Sequence, residues 1–226
     1  MTRAVIFDVD GTLVDSVDLH ARAWREALRD FGYDVPFPEI RDHIGKGADQ
    51  LMPVFVPPDD LERRGTQLEE HRARVFQTRY LPLVTAFPCV RELFARVKSD
   101  GQRIALASSA KGDELRIYKR LAGIDQLIDV EVSADDAERS KPHADIFEVA
   151  LAELGAIDPS CAVVVGDTPY DAVAASRAGI PVVGLLSGGF PEQWLVAAGC
   201  IGVYRDAADL FAQYDDSPLA ARARPS

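Results

Sequence analysis

Asp8 and Asp10 close a run of four apolar residues, Ala4-Val5-Ile6-Phe7, and Gly11-Thr12 follows them. Side chains two apart on a strand point the same way. Both carboxylates therefore sit near one mouth, just past a strand's carboxyl end. Like charges that close coexist when a cation lies between them or one keeps a proton. The alternative is a plain Asp-Gly turn after an edge strand. A second apolar run, Val163-Val164-Val165, ends in Gly166-Asp167, and Asp171 follows one helical turn along. Asp171 also suits the first turn of a helix, near the positive end of its dipole.

A third run, Ile104-Ala105-Leu106-Ala107, ends in Ser108-Ser109. Hydroxyls and free backbone N–H groups before a helix make an anion-binding nest, or simply an N-cap. Ser140-Lys141-Pro142 precedes a further helical pattern. Lys141 is either a solvated surface lysine or a cation whose exit direction Pro142 fixes. Together these place a metal site, a phosphate nest and a neutralising lysine on one edge. That is the equipment of phosphoryl transfer, where positioning and charge stabilisation do most of the catalysis.

The elements that must position these residues follow from the hydrophobic pattern. Strands are predicted at Ala4–Phe7, Arg103–Ala107, Ala162–Val165 and Pro181–Leu185, with weaker ones at Ile128–Val132 and Ile201–Tyr204. Helical patterns fall at Val90–Lys98, Asp113–Leu121, Ala144–Leu154, Tyr170–Ala178 and Gln193–Ala198. Gly101, Gly123, Gly155, Gly179 and Gly199 stop them. Continuously apolar strands separated by helices predict a parallel α/β sheet covered on both faces. Between residues 17 and 87 no strand is predicted. Val17–Phe31 reads as one helix, and Asp59–Tyr80 as a long charged one, either continuous or interrupted at Gly65. About 70 residues far exceeds a βαβ crossover, so this stretch reads as an inserted helical domain. The predicted division is a core of 1–16 and 88–216, an insertion of 17–87, and a frayed tail of 217–226.

The chain has 226 residues, is 47% hydrophobic and carries a net charge of −11. That argues against nucleic-acid binding, which needs a basic face. No apolar stretch approaches ~18 residues, so no membrane span or signal core is expected. Cys89, Cys161 and Cys200 are widely spaced, form no CxxC and suit a reducing cytoplasm.

Asp8-Val9-Asp10-Gly11-Thr12, Ser108, Lys141 and Gly166-Asp167-Thr168-Pro169-Tyr170-Asp171 resemble the four motifs of the haloacid dehalogenase-like (HAD) hydrolase superfamily. Order and spacing are similar along nearly the whole chain. The resemblance implies a Rossmann-like core. The insertion resembles the C1 cap of the phosphoglycolate phosphatase and beta-phosphoglucomutase-like branch. It further implies Asp8 as nucleophile, forming an aspartyl-phosphate, and Asp10 as acid and then base. Mg²⁺ would be held by the Asp8 carboxylate, the Asp10 backbone carbonyl and Asp167, with Asp171 direct or through water. Ser108, the Ser109 N–H and Lys141 would hold the phosphoryl oxygens. The dehalogenases of the superfamily lack an acid at the position of Asp10, because a halide needs no proton; an acid there fits an alcohol leaving group.

The segment Arg41-Asp42-His43-Ile44-Gly45-Lys46-Gly47 is similar to the substrate-facing loop of such caps, where Arg41 or Lys46 would meet a second anionic group. It is not a P-loop, since Ile40 and Ala48 break that pattern. His20 and Trp24 share a helix face and resemble active-site flanking positions of the mutase branch, or simply pack. The sequence shows no clear cap arginine of the kind those mutases use. The expectation is a Mg²⁺-dependent phosphatase acting on a small phosphorylated metabolite, a monomer or homodimer, with a sugar-phosphate mutase as the alternative. A phosphonate hydrolase using Lys46 as a Schiff base and a receiver-type signalling module fit less well.

Overall fold

The computed structural model describes residues 3–220. Its core is a six-stranded parallel sheet. In chain order the strands are β1 (Ala4–Phe7), β4 (Arg103–Ala107), β5 (Val130–Val132), β6 (Ala162–Gly166), β7 (Val182–Leu185) and β8 (Gly202–Tyr204). A two-residue pair, β2 (Val14–Asp15) and β3 (Thr85–Ala86), forms a separate antiparallel ribbon. The spatial order of the sheet is β5-β4-β1-β6-β7-β8. β1 lies at the centre, between β4 and β6, where the direction of winding reverses. Open α/β sheets bind ligands outside the carboxyl ends of the strands at such a switch point.

Alternation along β1 shows why its residues are apolar throughout. Val5 and Phe7 face one layer, with Leu93, Phe94 and Val97 of α5 (Val90–Ser99) and Leu210 of α10 (Ala207–Ala212). Ala4 and Ile6 face the other, with Ile146 and Phe147 of α7 (Asp145–Glu153) and Ala172 and Ala175 of α8 (Pro169–Arg177). α6 (Gly112–Ala122) and α9 (Glu192–Ala197) complete the cover. Gly123 and Gly179 follow their helices at φ of +66° and +73°, left-handed positions that glycine fills without strain. The rings of Phe7 and Phe94 stack with centroids 4.4 Å apart. Phe94→Ala is expected to destabilise the fold by about 3–5 kcal/mol, read as a shift in the urea midpoint at unchanged m-value.

The insertion is helical: α1 (Val17–Asp30), α2 (Phe37–Arg41), α3 (Ala48–Phe55) and α4 (Pro58–Val75). Trp24, Leu28, Ile40, Leu51 and Leu68 build a hydrophobic core of its own. Gly65 lies inside α4 and does not break it; the helix runs on into a π-helical turn, Phe76–Tyr80. The β2–β3 ribbon, unexpected from the sequence, ties the chain's exit to its return, and the Phe87 N–H donates to the Leu13 carbonyl at 2.9 Å. The start of the expected frayed tail is held instead. Leu219 is fully buried, and its carbonyl accepts from Gln102 Nε2 at 2.7 Å. Residues 221–226 lie outside the described residues. Cys89, Cys161 and Cys200 are half-buried and unbonded. Among the described residues, no helix is long and apolar enough to cross a membrane.

Candidate active site

Asp8 continues the β1 ladder, its N–H donating to the Val165 carbonyl at 2.9 Å. The chain then turns sharply, closed by the Leu13 N–H on the Val9 carbonyl at 2.8 Å. This turn aims the two acids in different directions, while both still line one cavity, as their places past the strand end predicted. Asp8 points into the core edge. Asp10 points toward the insertion, where its Oδ1 accepts from Ser16 Oγ at 2.5 Å and lies 2.9 Å from His20 Nε2. The Ser16 hydroxyl is therefore spent on Asp10 rather than on capping α1.

Asp8, Asp167 and Asp171 offer carboxylate oxygens that all lie within 4.8 Å of one another, and all three residues are buried. Asp10's carboxylate is not in this cluster, so any metal role for Asp10 falls to its backbone carbonyl. Lys141 supplies the opposing charge. Its Nζ donates to Asp8 Oδ1 at 2.5 Å and to the Ala107 carbonyl at 3.1 Å, and lies 2.7 Å from Asp171 Oδ1. Asp171 serves both of the roles its position suggested. Its Oδ2 accepts from the Thr168 N–H at 3.0 Å, in a capping box at the start of α8, while Oδ1 faces Lys141.

Asp167 is fully buried. Its Oδ1 accepts from Thr12 Oγ1 at 2.9 Å, a contact not foreseen from the sequence. Its Oδ2 has no hydrogen-bond partner among the described residues. That oxygen sits in a cradle that only glycines permit: a Cβ at Gly188 would lie 1.7 Å from it, and one at Gly11, 2.3 Å. Ser108 is fully buried at the end of β4, and its Oγ accepts from the Ala110 N–H at 3.0 Å. Ser109 lines the neighbouring cavity.

The electrostatics follow from burial and crowding. Burial pushes Asp8 up to about 7; Lys141 pulls it down, and Asp171 adds to the rise. Burial, then Asp8 and Asp171, hold Asp167 well above the usual carboxylate range. Burial would also raise Asp10, but His20 and Ser16 outweigh it and hold Asp10 low. Burial alone would lower Lys141; Asp171 and Asp8 more than reverse that. Without a cation the two acids of one motif thus shift in opposite directions, Asp8 up and Asp10 down; a cation beside Asp8 would favour its ionised form.

A cavity of about 350 Å³ opens between this edge and the insertion, lined by Asp8, Asp10, His20, Lys46, Arg72 and Ser109 among others. His20 is buried and stacks on Phe76 with centroids 3.9 Å apart, so the π-helical turn places the ring that supports it. Trp24 packs in the core of the insertion and also reaches the cavity wall. Lys46 lies 3.2 Å from His43 Nδ1 and over the Tyr170 ring, and burial lowers its ammonium pKa.

Arg41 does not line the cavity, which corrects its expected role as a substrate contact. Its Nε donates to Asp18 at 2.8 Å and its Nη2 to the Gly188 carbonyl at 2.7 Å, so the guanidinium spans the seam between insertion and core. Tyr170 closes the same seam, donating to the Asp42 carbonyl at 2.6 Å. Arg72, by contrast, reaches the cavity from α4, with a buried Nε that no described residue accepts from. Sequence reasoning missed it because it lies on the charged face of α4, which periodicity assigns to solvent. Glu114 and Tyr118, on α6, were missed for a related reason.

A parallel sheet with buried acids at its carboxyl edge, a buried lysine among them and a helical cover defines a carboxylate-based hydrolase site. The chain belongs to the haloacid dehalogenase-like hydrolases: the family model matches residues 5–185. Among its relatives, a Dickeya dadantii protein named "Probable phosphatase IndB" is 32% identical over 204 residues, covering 88% of this chain and 87% of that one. Phosphoglycolate phosphatase of Rhodospirillum rubrum is 29% identical over 223 residues, covering 93% and 90%. The crystal structure of a hydrolase from Pseudomonas syringae superposes with a TM-score of 0.85 at 31% identity, covering 95% of this chain and 99% of that one. The chain is thus a hydrolase of this family, and its relatives include proteins named as phosphatases.

Proposed function

We propose that the protein is a Mg²⁺-dependent phosphatase that hydrolyses a small-metabolite phosphomonoester, of the phosphoglycolate or sugar phosphate type, through an aspartyl-phosphate on Asp8. The insertion over residues 17–87 would act as its cap. One observation carries this reading. Three buried carboxylates face a single lysine, and one carboxylate oxygen, Asp167 Oδ2, lacks any partner among the described residues. Buried charge persists only when paired or metal-bound. The deficit of about two charges and the all-oxygen donor set fit a hard divalent cation. Asp8, Asp167 and Asp171, with the Asp10 carbonyl, would hold Mg²⁺, which when bound neutralises charge on the phosphoryl oxygens.

This chain's own residues do the rest. Asp8 Oδ attacks phosphorus and the ester P–O bond breaks. Asp10, facing the cavity, takes up a proton as the anionic substrate binds beside it, gives it to the departing alkoxide, then takes one from the water that cleaves the acyl phosphate. Water's oxygen ends on inorganic phosphate and Asp8 is regenerated. Lys141 and the N–H groups after Ser108 hold the phosphoryl oxygens where charge builds. The cap excludes water from the first step and admits it to the second.

The test is a phosphatase assay over a metabolite panel with Mg²⁺, releasing inorganic phosphate, with Asp8→Asn as control. Loss of about 10⁴-fold or more in kcat is expected for that variant, the scale of removing a nucleophile. Retained activity would remove Asp8 from the mechanism. Arg72 on the cavity favours one other reading, a sugar-phosphate mutase. Turnover that needs a bisphosphate activator and releases no phosphate would select it.

A further inference from the structure

His20 lies between Arg72 and Asp10. Arg72 Nη2 is 3.3 Å from its Nδ1, and Asp10 Oδ1 is 2.9 Å from its Nε2. A guanidinium carries N–H donors and no acceptor. Nδ1 must therefore accept, because a hydrogen there would point at the Arg72 N–H. The ring hydrogen is left on Nε2, where it donates to Asp10. The reverse tautomer would set a bare Nε2 lone pair against the Asp10 carboxylate.

Packing holds this arrangement in place. The Arg72 guanidinium lies over the rings of Trp24 and Phe76, 5.1 and 5.7 Å from their centroids, where a cation is attracted to the ring faces. Phe76 also stacks on His20, with centroids 3.9 Å apart. Arg72 and His20 thus rest on one ring from the π-helical turn. Arg72 Nε has no partner among the described residues, so the contact with His20 leaves other donors over.

The consequence falls on Asp10. Both lone pairs of its Oδ1 are filled, by the His20 Nε2–H and by Ser16 Oγ at 2.5 Å. Proton exchange with a leaving group is left to Oδ2. Tyr118 adds to the hold. Its hydroxyl lies 3.3 Å from His20 Nε2, which as a donor cannot accept from it, so its hydrogen turns to Asp10. Burial first, then the charges of Asp10 and Glu114, raise the Tyr118 pKa, and of these two acids Asp10 is the one hydrogen-bonded to it. Tyr118 comes from α6 of the core, whereas His20 and Arg72 come from the insertion. Asp10 is therefore held from both parts of the chain.

We propose that Arg72 is a positioning residue for the acid–base step: it fixes His20 as the Nε2–H tautomer, which makes His20 and Tyr118 donors to Asp10 and leaves Oδ2 to exchange the proton. This rests on the phosphatase reading above, through the role given there to Asp10.

Long-range proton–nitrogen NMR of the isotope-labelled protein with Mg²⁺ reads the tautomer directly, His20 being assigned by the signals lost in His20→Gln. Wild type should show a protonated Nε2 and a bare Nδ1. Arg72→Met keeps an aliphatic stem but no donor, and should let the Nδ1–H form appear. Two aryl esters of nearly one shape read the effect on the acid. Phenolate needs a proton to leave more than p-nitrophenolate does. In the Met variant kcat/KM for phenyl phosphate should fall by about tenfold or more. That for p-nitrophenyl phosphate should change by less than about threefold. Because kcat/KM ends at the first irreversible step, the later cleavage of the acyl phosphate does not enter. Arg72→Lys keeps a donor for Nδ1 and should restore the tautomer and part of the phenyl phosphate rate.

A hydrogen on His20 Nδ1 in the wild type would overturn the proposal without any variant. So would a Met variant whose tautomer is unchanged. Equal losses on the two esters would make Arg72 a substrate contact or a fold residue only, and overturn it as well. Failure of Mg²⁺ to support hydrolysis of any ester would instead bring down the phosphatase reading and the role of Arg72 with it, while the NMR spectrum would still decide the tautomer.

Discussion

Asp167→Asn is expected to abolish Mg²⁺-dependent turnover while raising the melting temperature of the metal-free protein. The two halves come from one atom. Asp167 Oδ2 is buried, unpartnered among the described residues and crowded by Asp8 and Asp171. Without a cation this carboxylate is a liability. Replacing it with an uncharged amide of the same shape removes a like-charge repulsion and a buried charge, stabilising the fold by about 1–2 kcal/mol. For a chain of this size that is about 3–6 °C in Tm. Thr12 Oγ1 keeps an acceptor in the amide oxygen, so the known hydrogen bond survives. With Mg²⁺ present, the wild-type protein should gain stability as ligand binding dictates, and the variant should gain little. Turnover should fall by about 10³-fold or more, the scale of several kcal/mol of lost charge stabilisation. Thermal melts of both proteins with and without Mg²⁺ read the result. A variant that melts lower than wild type without metal, or still responds to Mg²⁺ as wild type does, would remove Asp167 from the metal site.

The site was legible where chemistry sits at the ends of buried strands. A parallel strand covered on both faces is a continuous apolar run, so a polar residue ending it stands out. Asp8, Ser108 and Asp167 are such residues, and the structure brings all three to one edge. Asp171 and Lys141 were legible because each opens or precedes a helix just after a strand or loop. The β2–β3 ribbon was not, since two residues carry no periodicity to read. Glu114 and Arg72 were hidden by the rule that reveals helices. Periodicity assigns a charged face to solvent, but here that face looks into a cavity shared by two parts of the chain. Arg41 failed in the opposite direction. Its place in a glycine-flanked loop suggested a ligand, whereas its guanidinium is satisfied by Asp18 and the Gly188 carbonyl. Leu219 was lost among polar neighbours, although burial of its side chain and a hydrogen bond to its carbonyl anchor the chain there.

Lys141→Met should destabilise the protein by about 3–5 kcal/mol, the cost of leaving buried charge uncompensated. Methionine matches the lysine stem in length, so a cavity would not be the cause. The surface ion pairs set the contrast: Arg205 with Asp209 and Arg74 with Glu70 have largely exposed basic partners, and such pairs contribute about 0–1 kcal/mol each. Lys141 is 1% exposed, and its ammonium is the shared partner of Asp8 and Asp171. Without it, three buried carboxylates face one another with no fixed cation. Melting should fall by on the order of 10 °C in the absence of metal. Mg²⁺ should return part of the loss by supplying charge to the same oxygens. Adding Asp171→Asn should return part of it as well, because the Asn amide removes one of the stranded acids while its oxygen still accepts from the Thr168 N–H. The coupling of the two substitutions, measured as a double-mutant cycle, should exceed about 1 kcal/mol. A Lys141→Met variant that loses less than about 1 kcal/mol, or a second substitution that merely adds its own cost, would mean that the carboxylates are not held together by this lysine.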